Sequence, residues 1–372
     1  MNFLNFLISS HSEKVKYPIR KILVKIAKLG LIKPINNKIA YICEKQEWAI
    51  FWDGKFIENE INLFLKAKSM IVTHKVYSVT SPVIHFGSQY MWEIWRDLIP
   101  SRSKVIVNFY HGKHDDGEST AKHIEDFILN HKKIDIIVVA NSIVYERLLS
   151  WGIPNDKIQK IFIGVDSKIF TRQNKHNKIA ARNELGISQD AFVIGSFQKD
   201  GIGWNSGNKP KFIKGPDIFA DVIQILSRTR KVSVLLTGPS RGYLISRLKK
   251  LGISFTYHRV EDYSTMPIYY HALDLYLITS REEGGPKGLV ESISSSVPVV
   301  STRVGMAVDL LNQSNVLSSF EPANIASELT ELINTDNFSR PIKNENEIIE
   351  SLDYKEIAVQ YYDKVYSKLL IN

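Results

Sequence analysis

The sequence has very little cysteine and no long apolar run. Cys43 is the one cysteine in 372 residues, so no disulfide can form within the chain, and we expect a reducing compartment and a packed side chain rather than a nucleophile. No apolar run is long enough for a membrane-spanning helix. The apolar residues 3–8 are too few for the core of a signal peptide and follow no basic residue, so we do not expect secretion. Together these features predict a cytoplasmic location.

Several functional patterns are absent as well. No group of His, Cys, Asp and Glu has the spacing of a metal site, so we expect no essential metal, and we expect no resident cofactor. No repeat of solenoid length occurs. The net charge of +9 indicates an anionic partner: a membrane surface, a nucleotide or a nucleic acid. No nucleic-acid-binding motif is present, so a basic nucleic-acid-binding protein is the most remote of these interpretations.

What is present is a regular alternation of short apolar runs with helical patterns. A chain of this length, 44% hydrophobic and 23% charged, fits a soluble protein of two domains. The alternation predicts an α/β fold with parallel, doubly wound sheets. Residues 166–177 lose the apolar pattern and are interpreted as the linker between the domains. The predicted strands are 48–52, 70–72, 83–86, 104–109, 134–139, 158–163, 192–194, 232–236, a strand near 255, 274–278 and one that begins at 297.

Positive charge is concentrated in residues 18–29. An apolar stripe at helical spacing faces a row of lysines, with Arg20 at the edge of that row. A basic amphipathic helix of this kind can lie on an anionic membrane. It can equally be a core-facing helix with a solvated lysine face. The stripe is Ile19, Ile22, Leu23 and Ile26, and the lysines are Lys21, Lys25 and Lys28.

The most informative stretch is 280–291, with the sequence SREEGGPKGLVE, between a predicted strand and a helical pattern. Gly284 and Gly285 permit close backbone approach to a ligand, Pro286 suits a first helical turn, and the N–H groups at such a helix start favour an anion. Glu283 would lie in the loop and Glu291 about one turn into the helix. An ordinary turn fits the same letters, because glycine and proline punctuate turns and glutamate is favoured near a helix start.

The spacing of Glu283 and Glu291 resembles the nucleotide-sugar site of retaining glycosyltransferases of family 4, which have the GT-B fold. The segments 297–305, 137–142 and 151–154 continue the resemblance, which covers roughly residue 134 to the C-terminus. It implies two Rossmann-like domains that face a cleft, and a terminal helix that crosses back onto the first domain. The implied boundaries are 1–170 for the acceptor-side domain, 186–350 for the nucleotide-sugar domain and 351–372 for the helix.

The resemblance also implies roles for individual residues. Glu283 would lie beside the donor sugar, where it contacts sugar hydroxyls or stabilises positive charge on the ring carbon, and Glu291 would accept hydrogen bonds from the ribose. Lys214 would bind phosphate, and Lys199 would replace an arginine that the family usually carries. His111, which follows a predicted strand, would face the donor sugar. The implied catalytic residues are Glu283, His111 and Lys214, and the donor-binding residues are Ser196, Lys199, Lys214, Arg241, His258, Gly284, Gly285, Pro286, Lys287, Gly288, Leu289 and Glu291.

Two further features remain open in the sequence. The glycine-rich segment 201–207 would either close on the ligand or form a flexible insertion. Tyr90, Trp92 and Trp95 would form a sugar platform, or simply be buried aromatic residues.

The resemblance implies a retaining, metal-independent glycosyltransferase. It would transfer a sugar from a nucleotide-diphosphate donor to a saccharide or lipid-linked glycan, in bacterial surface polysaccharide synthesis. Its location would be cytoplasmic, with contact to the inner face of the membrane through residues 18–29 left open. The alternatives are a non-catalytic GT-B subunit and a sugar-nucleotide epimerase, because one fold hosts many activities.

Overall fold

The computed structural model describes residues 13–45, 49–203, 205–335 and 345–370. These residues divide between two compact units. The first unit comprises Met1–Val139, Leu148–Ile161 and Ile357–Asn372, and the second comprises Ala140–Arg147 and Phe162–Glu356. Each unit contains a six-stranded parallel sheet, which confirms the predicted α/β fold.

The sheet of the first unit has the strand order β2-β1-β3-β4-β5-β6. Buried aliphatic residues fill its central strands, as expected for a parallel sheet with both faces covered. Its strands are β1 (Ile39–Ile42), β2 (Met70–Thr73), β3 (Val83–Phe86), β4 (Lys104–Asn108), β5 (Ile136–Val139) and β6 (Ile158–Lys160). The helices along this part of the chain are α1 (Glu13–Lys28), α2 (Ala49–Phe64), α3 (Gln89–Trp95), α4 (Glu118–Asn130) and α5 (Ser142–Ser150), the last of which contains residues of both units.

One sequence expectation about this sheet is wrong, and one of its strands was not predicted. The aromatic segment 48–52 was expected to form a strand, but from Ala49 onward it belongs to α2, and Trp48 lies outside the described residues. Helix α2 packs closely on Tyr41: a Cβ at Gly54 would lie 2.6 Å from the Tyr41 ring. The strand that Tyr41 belongs to, β1, was not predicted.

Helix α1 buries the predicted stripe only in part, because Ile19 and Ile26 are half-buried. Leu23 is buried, but Ile22 is 56% exposed, and Arg20 is buried with its guanidinium 5.5 Å from the ring centre of Trp95. The packed face of α1 is therefore rotated away from Ile22, and the exposed face carries Ile22 together with Lys21 and Lys25.

The sheet of the second unit has the order β12-β11-β10-β7-β8-β9. Its strands are β7 (Phe192–Ser196), β8 (Val232–Thr237), β9 (Ser254–His258), β10 (Leu275–Ile278), β11 (Val299–Thr302) and β12 (Val316–Leu317). Its helices are α6 (Lys175–Glu184), α7 (Pro216–Leu226), α8 (Gly242–Lys250), α9 (Met266–His271), α10 (Lys287–Ser294), α11 (Ala307–Leu310), α12 (Pro322–Ile333) and α13 (Glu345–Leu352). The core of this unit joins β7, β8 and β10 to the apolar faces of α7, α8 and α12.

The chain ends with α14 (Tyr354–Tyr361), a π-helical turn (Tyr362–Tyr366) and α15 (Ser367–Leu370). Within the first unit, this terminal segment packs on β3. The ring of His85 lies between Tyr366, whose hydroxyl is 2.8 Å from Nδ1, and Asn108, whose Oδ1 is 2.7 Å from Nε2. Burial lowers the pKa of His85 to about 4, so the ring is held neutral.

No helix in the part of the chain that the structure describes is both long and apolar enough to cross a membrane.

Candidate functional site

Three turns meet at the carboxyl edge of the second sheet, where α/β proteins bind ligands. They follow β7, precede α7 and follow β10, and β7 and β10 are neighbours. At Gly215, the turn before α7 contacts the turn after β10. Gly215 has φ +63°, and a Cβ there would lie 1.9 Å from the Thr279 carbonyl oxygen. The Thr279 hydroxyl donates to the Gly215 carbonyl at 2.9 Å, and the Arg281 N–H donates to the Ile213 carbonyl at 2.8 Å.

This junction brings together two predicted site residues that are far apart in the chain. The Lys214 ammonium nitrogen lies 2.5 Å from Oε2 of Glu283. The Ser280 hydroxyl donates to the other carboxylate oxygen at 2.8 Å. Glu283 is 7% exposed, so its charge sits in a poorly solvated position that Lys214 and Ser280 stabilise.

A second lysine beside this pair was missed by the sequence reasoning. The pKa of Lys211 is lowered by burial and by the neighbouring charges of Lys214 and Lys199, while Glu283 opposes that shift. Burial also lowers the pKa of Lys199. The three-residue spacing of Lys211 and Lys214 could have identified it. Phe212–Lys214 form a 3-10 turn. Residues three apart in such a turn lie on one face, so Lys211 and Lys214 share a side. Lys211 and Lys214 beside one carboxylate, with Lys199 close enough to act on Lys211, form a surface that favours an anion.

The remaining residues of the turn after β10 hold its shape. Glu282, next to Glu283, is bound by both guanidinium nitrogens of Arg147, at 2.5 and 3.3 Å. The Asn141 side chain donates to the Gly284 carbonyl. A Cβ at Gly305 would lie 3.2 Å from Glu283, so the segment after β11 also packs tightly on this turn.

Two glycines of this segment are packed closely against other parts of the protein. A Cβ at Gly285 would lie 2.4 Å from Ile163, and one at Gly288 would lie 2.1 Å from the Tyr276 hydroxyl. Both glycines are therefore required by packing within the protein. Pro286 immediately precedes α10, and its carbonyl oxygen accepts from the Leu289 N–H at 2.9 Å in the first turn of that helix.

Glu291 lies in the second turn of α10 and is 4% exposed. Each of its carboxylate oxygens accepts a hydrogen bond from a tyrosine hydroxyl at 2.5 Å: Tyr263 binds Oε1 and Tyr270 binds Oε2. Sequence reasoning did not identify either tyrosine, because neither is close to Glu291 in the chain.

Arg241 corrects a predicted donor contact. It is 1% exposed, and its guanidinium donates to the carbonyl oxygens of Ser196 and Thr237, both at 2.7 Å, and to the Ser196 hydroxyl at 3.0 Å. Its Nε lies 3.1 Å from the buried carboxylate of Asp200. Arg241 and Ser196 thus form an internal network instead of presenting groups to a ligand.

The glycine-rich segment 201–207 packs against the turn between β8 and α8. A Cβ at Gly207 would lie 2.1 Å from the Ser240 carbonyl oxygen. The carbonyl oxygens of Ser206 and Gly207 accept from the N–H groups of Gly242 and Tyr243, at 2.7 and 3.0 Å. These carbonyls therefore pair with N–H groups at the start of α8. Trp204 lies outside the described residues.

Three other predicted donor residues, Leu289, Lys287 and His258, differ in their burial and contacts. Leu289 is completely buried and belongs to the core. The Lys287 ammonium is 2.8 Å from the Gly164 carbonyl oxygen and lies over the Tyr354 ring, so its side chain supports packing. His258 ends β9, half-buried beside Tyr269.

His111 belongs to the first unit. It follows β4, and its carbonyl oxygen accepts from Gln89 Nε2 at 2.9 Å. Its ring centre is 6.3 Å from that of Tyr90, which is 38% exposed. Trp92 and Trp95 are buried, so the expected aromatic platform reduces to Tyr90.

Within the described ranges, no group of three or more His, Cys, Asp or Glu side chains is arranged to hold a metal ion.

Comparison with known proteins places this site in context. Residues 205–335 match the model of the family described as "Glycosyl transferases group 1". The chain is 29% identical over 159 residues to the lipopolysaccharide core biosynthesis mannosyltransferase LpsB of Rhizobium meliloti, an alignment that covers 41% of this chain and 42% of the relative. It is 25% identical over 165 residues to the O-antigen biosynthesis glycosyltransferase WclY of Escherichia coli, covering 44% and 42%. The alignments thus span about two fifths of these curated relatives.

Solved structures extend the likeness to nearly the whole chain. Anabaena Alr3699/HepE in complex with UDP and glucose has a TM-score of 0.68 at 14% identity, covering 89% of this chain and 100% of that one. A glycosyltransferase from Rickettsia africae has a TM-score of 0.65 at 14% identity, covering 91% and 99%. At these identities the comparison concerns the fold, and it confirms the GT-B fold.

Proposed function

We propose that this protein is a glycosyltransferase that transfers a sugar from a nucleotide-diphosphate donor to a saccharide or lipid-linked glycan. We place the reaction in bacterial surface polysaccharide synthesis, with retention of anomeric configuration and no essential metal. The observation that carries the proposal is the Lys214–Glu283 pair. It lies beside Lys199 and Lys211, at the carboxyl edge of a sheet whose next helix carries Glu291.

The chemistry of sugar transfer requires this distribution of charge. When the bond between the sugar and the diphosphate breaks, negative charge grows on the leaving group and positive charge on the ring carbon. Lys199, Lys211 and Lys214 stabilise the first, because fixed cations act strongly in a site that excludes water. Glu283 stabilises the second. Glu291 accepts the hydroxyl groups of the nucleotide ribose.

The comparisons support this assignment without defining its details. The matched family model covers the segment that contains Lys211, Lys214, Glu283 and Glu291. LpsB and WclY are named for lipopolysaccharide core and O-antigen synthesis, and the HepE structure contains UDP and glucose. Membership of family 4 and the retaining mechanism rest on the spacing of the two glutamates.

A panel of ligands tests the proposal. We expect UDP or GDP, and one of their sugar conjugates, to raise the midpoint of thermal unfolding, because a ligand of the folded state stabilises it by mass action. The Glu291→Ala variant should lose most of that shift. A transfer assay with the bound donor, followed by NMR of the anomeric proton, would then establish retention. Absence of any shift across UDP, GDP and their sugar conjugates would overturn the proposal.

We also propose that the first unit contacts an anionic membrane surface. The exposed side of α1 and the residues after it carry Ile22, Leu29 and Leu31, which are 56%, 75% and 74% exposed. Lys21, Lys25 and Lys28 are exposed on the same helix. Exposed apolar residues interleaved with lysines are typical of peripheral membrane contact.

A further inference from the structure

Two tyrosines bind the two oxygens of one carboxylate, but they occupy different surroundings. Tyr270 is completely buried in α9, and its ring packs on Phe197, with centres 4.9 Å apart. Tyr263 is half-buried and starts the single 3-10 turn Tyr263–Thr265, whose other residues before α9 are exposed. Both rings also touch Phe170, at 5.6 and 5.7 Å between centres.

Because their surroundings differ, the two tyrosine hydroxyls have different roles at Glu291. Tyr270 sits in the interior, so its hydrogen bond to Oε2 fixes the direction in which the Glu291 carboxylate points. Tyr263 reaches Oε1 from the turn that follows β9, at the carboxyl edge of the sheet. A ligand hydroxyl that approaches Glu291 from that edge meets the oxygen that Tyr263 already occupies.

We propose that Tyr263 competes with the ribose for Glu291: its hydroxyl takes the place of a ribose hydroxyl in the ligand-free protein and leaves when the nucleotide binds. The inference rests on the proposed function, because it takes Glu291 as the ribose acceptor. A phenol and a ribose hydroxyl are both single O–H donors to a carboxylate oxygen, so one replaces the other without leaving the buried charge unpaired. Tyr263 thereby donates to Glu291 between reaction cycles and lowers the affinity for the spent nucleotide.

The competition has a measurable sign. Removing the Tyr263 hydroxyl deletes the competitor, so the Tyr263→Phe variant should bind the nucleoside diphosphate more tightly than the wild type. We expect about a fivefold decrease in Kd, the size of a modest net hydrogen bond. The ring remains in contact with Phe170, so the variant should fold.

The matched control is the second tyrosine. Tyr270→Phe removes the same atom from the other oxygen of the same carboxylate, but it deletes an orienting bond rather than a competitor. We therefore expect Tyr270→Phe to bind more weakly than the wild type. Two chemically identical substitutions should change the affinity in opposite directions.

The experiment is a calorimetric titration of wild type, Tyr263→Phe and Tyr270→Phe with UDP, GDP and their 2′,3′-dideoxy forms. We expect the gain in Tyr263→Phe with the ribose nucleotide and none with the dideoxy form, which has no hydroxyl to compete. If the wild type binds UDP or GDP and Tyr263→Phe binds equally or more weakly, this inference is wrong while the proposed function stands. If neither the wild type nor Tyr263→Phe binds UDP or GDP, both fall.

Discussion

The ammonium of Lys214 and the carboxylate of Glu283 are 2.5 Å apart, although 69 positions separate them in the chain. The pair forms because Gly215 adopts a left-handed conformation against Thr279, which places the end of one turn on the start of another. In the proposed reaction the two charges act on opposite ends of the breaking bond. Each also keeps the other stabilised while the donor is absent.

The first prediction concerns the two adjacent glutamates. We expect Glu283→Gln to bind the nucleoside diphosphate within a few-fold of the wild type but to lose most of its turnover, because its charge matters most as the ring carbon becomes cationic. Glu282→Gln is the matched control: it weakens the bidentate contact with Arg147 and should mainly lower the thermal midpoint. Binding and single-turnover transfer would be measured for both. Near-normal turnover of Glu283→Gln would contradict the assignment.

The second prediction concerns the lysines and pH. The lowered pKa of Lys211 means that this side chain loses its charge at a lower pH than an ordinary lysine, whose pKa is about 10.4. A bound diphosphate favours the charged form, so binding near the lowered pKa should take up protons, and affinity should fall as the pH rises through that pKa, at a lower pH than for an ordinary lysine.

Lys211→Met should weaken nucleoside diphosphate binding and flatten this dependence, whereas Lys231→Met should do neither. Lys231 is a suitable control because it is an exposed lysine, paired with Asp190, in the same unit. The measurement is the Kd in buffers of different ionisation enthalpy. Equal pH dependence in the wild type and Lys211→Met would show that Lys211 does not act on the phosphates.

Much of the fold could be predicted because buried parallel strands leave strong apolar runs. The segments at β4, β8 and β10 were identified in this way. Residues 49–52 were assigned wrongly because aromatic residues favour strands locally. In the structure they belong to α2, which packs on Tyr41 through Gly54. That contact joins two elements, so no local pattern carries it.

The third prediction separates Arg241 from the ligand site. Arg241→Met leaves Asp200 as a buried charge without its partner, and breaking such a pair costs about 3–5 kcal/mol. We expect a large drop in the free energy of unfolding. At a temperature where the variant is folded, its nucleotide Kd should stay within a few-fold of the wild type. A stable variant with greatly weakened binding would restore Arg241 as a donor contact.

The candidate site was predictable only in part, because contacts between elements that are far apart in the chain leave no local sequence pattern. Glu283, Glu291 and Lys214 carry a recognisable spacing in the chain. Their partners do not, since Tyr263 and Tyr270 reach Glu291 through the tertiary structure alone. The sequence therefore predicted the groups that we propose to contact a ligand, and the structure adds the side chains that bind those groups within the protein.

The fourth prediction concerns acid stability. His85 has a pKa of about 4 in the folded protein and about 6.5 when exposed. Below pH 6.5 the unfolded chain binds a proton that the folded chain does not, so stability falls as the pH decreases from about 6.5 to 4, by roughly 3 kcal/mol in total. His85→Gln cannot titrate and should flatten this slope. Urea unfolding followed by tryptophan fluorescence measures it, and identical slopes for both proteins would exclude His85 as the cause.

The last prediction concerns the membrane. Each lysine near an anionic surface contributes about 1 kcal/mol, and this attraction is screened by salt. We expect the protein to co-sediment with vesicles that contain anionic lipid at low salt and to be released at high salt. Changing Lys21, Lys25 and Lys28 together to Glu should abolish this, without changing nucleotide affinity, because α1 belongs to the first unit and the residues that we propose to bind the nucleotide belong to the second.

The apolar part of this surface is tested separately. Ile22→Ser combined with Leu29→Ser should weaken vesicle binding without loss of thermal stability, since both side chains are exposed. Leu129→Ser provides the control, because Leu129 is 80% exposed on a different helix, α4, and should have no effect. Leu23→Ser should instead destabilise the fold, since Leu23 is buried. If the wild type ignores anionic vesicles at low salt, α1 is an ordinary packed helix and a soluble saccharide becomes the better candidate for the acceptor.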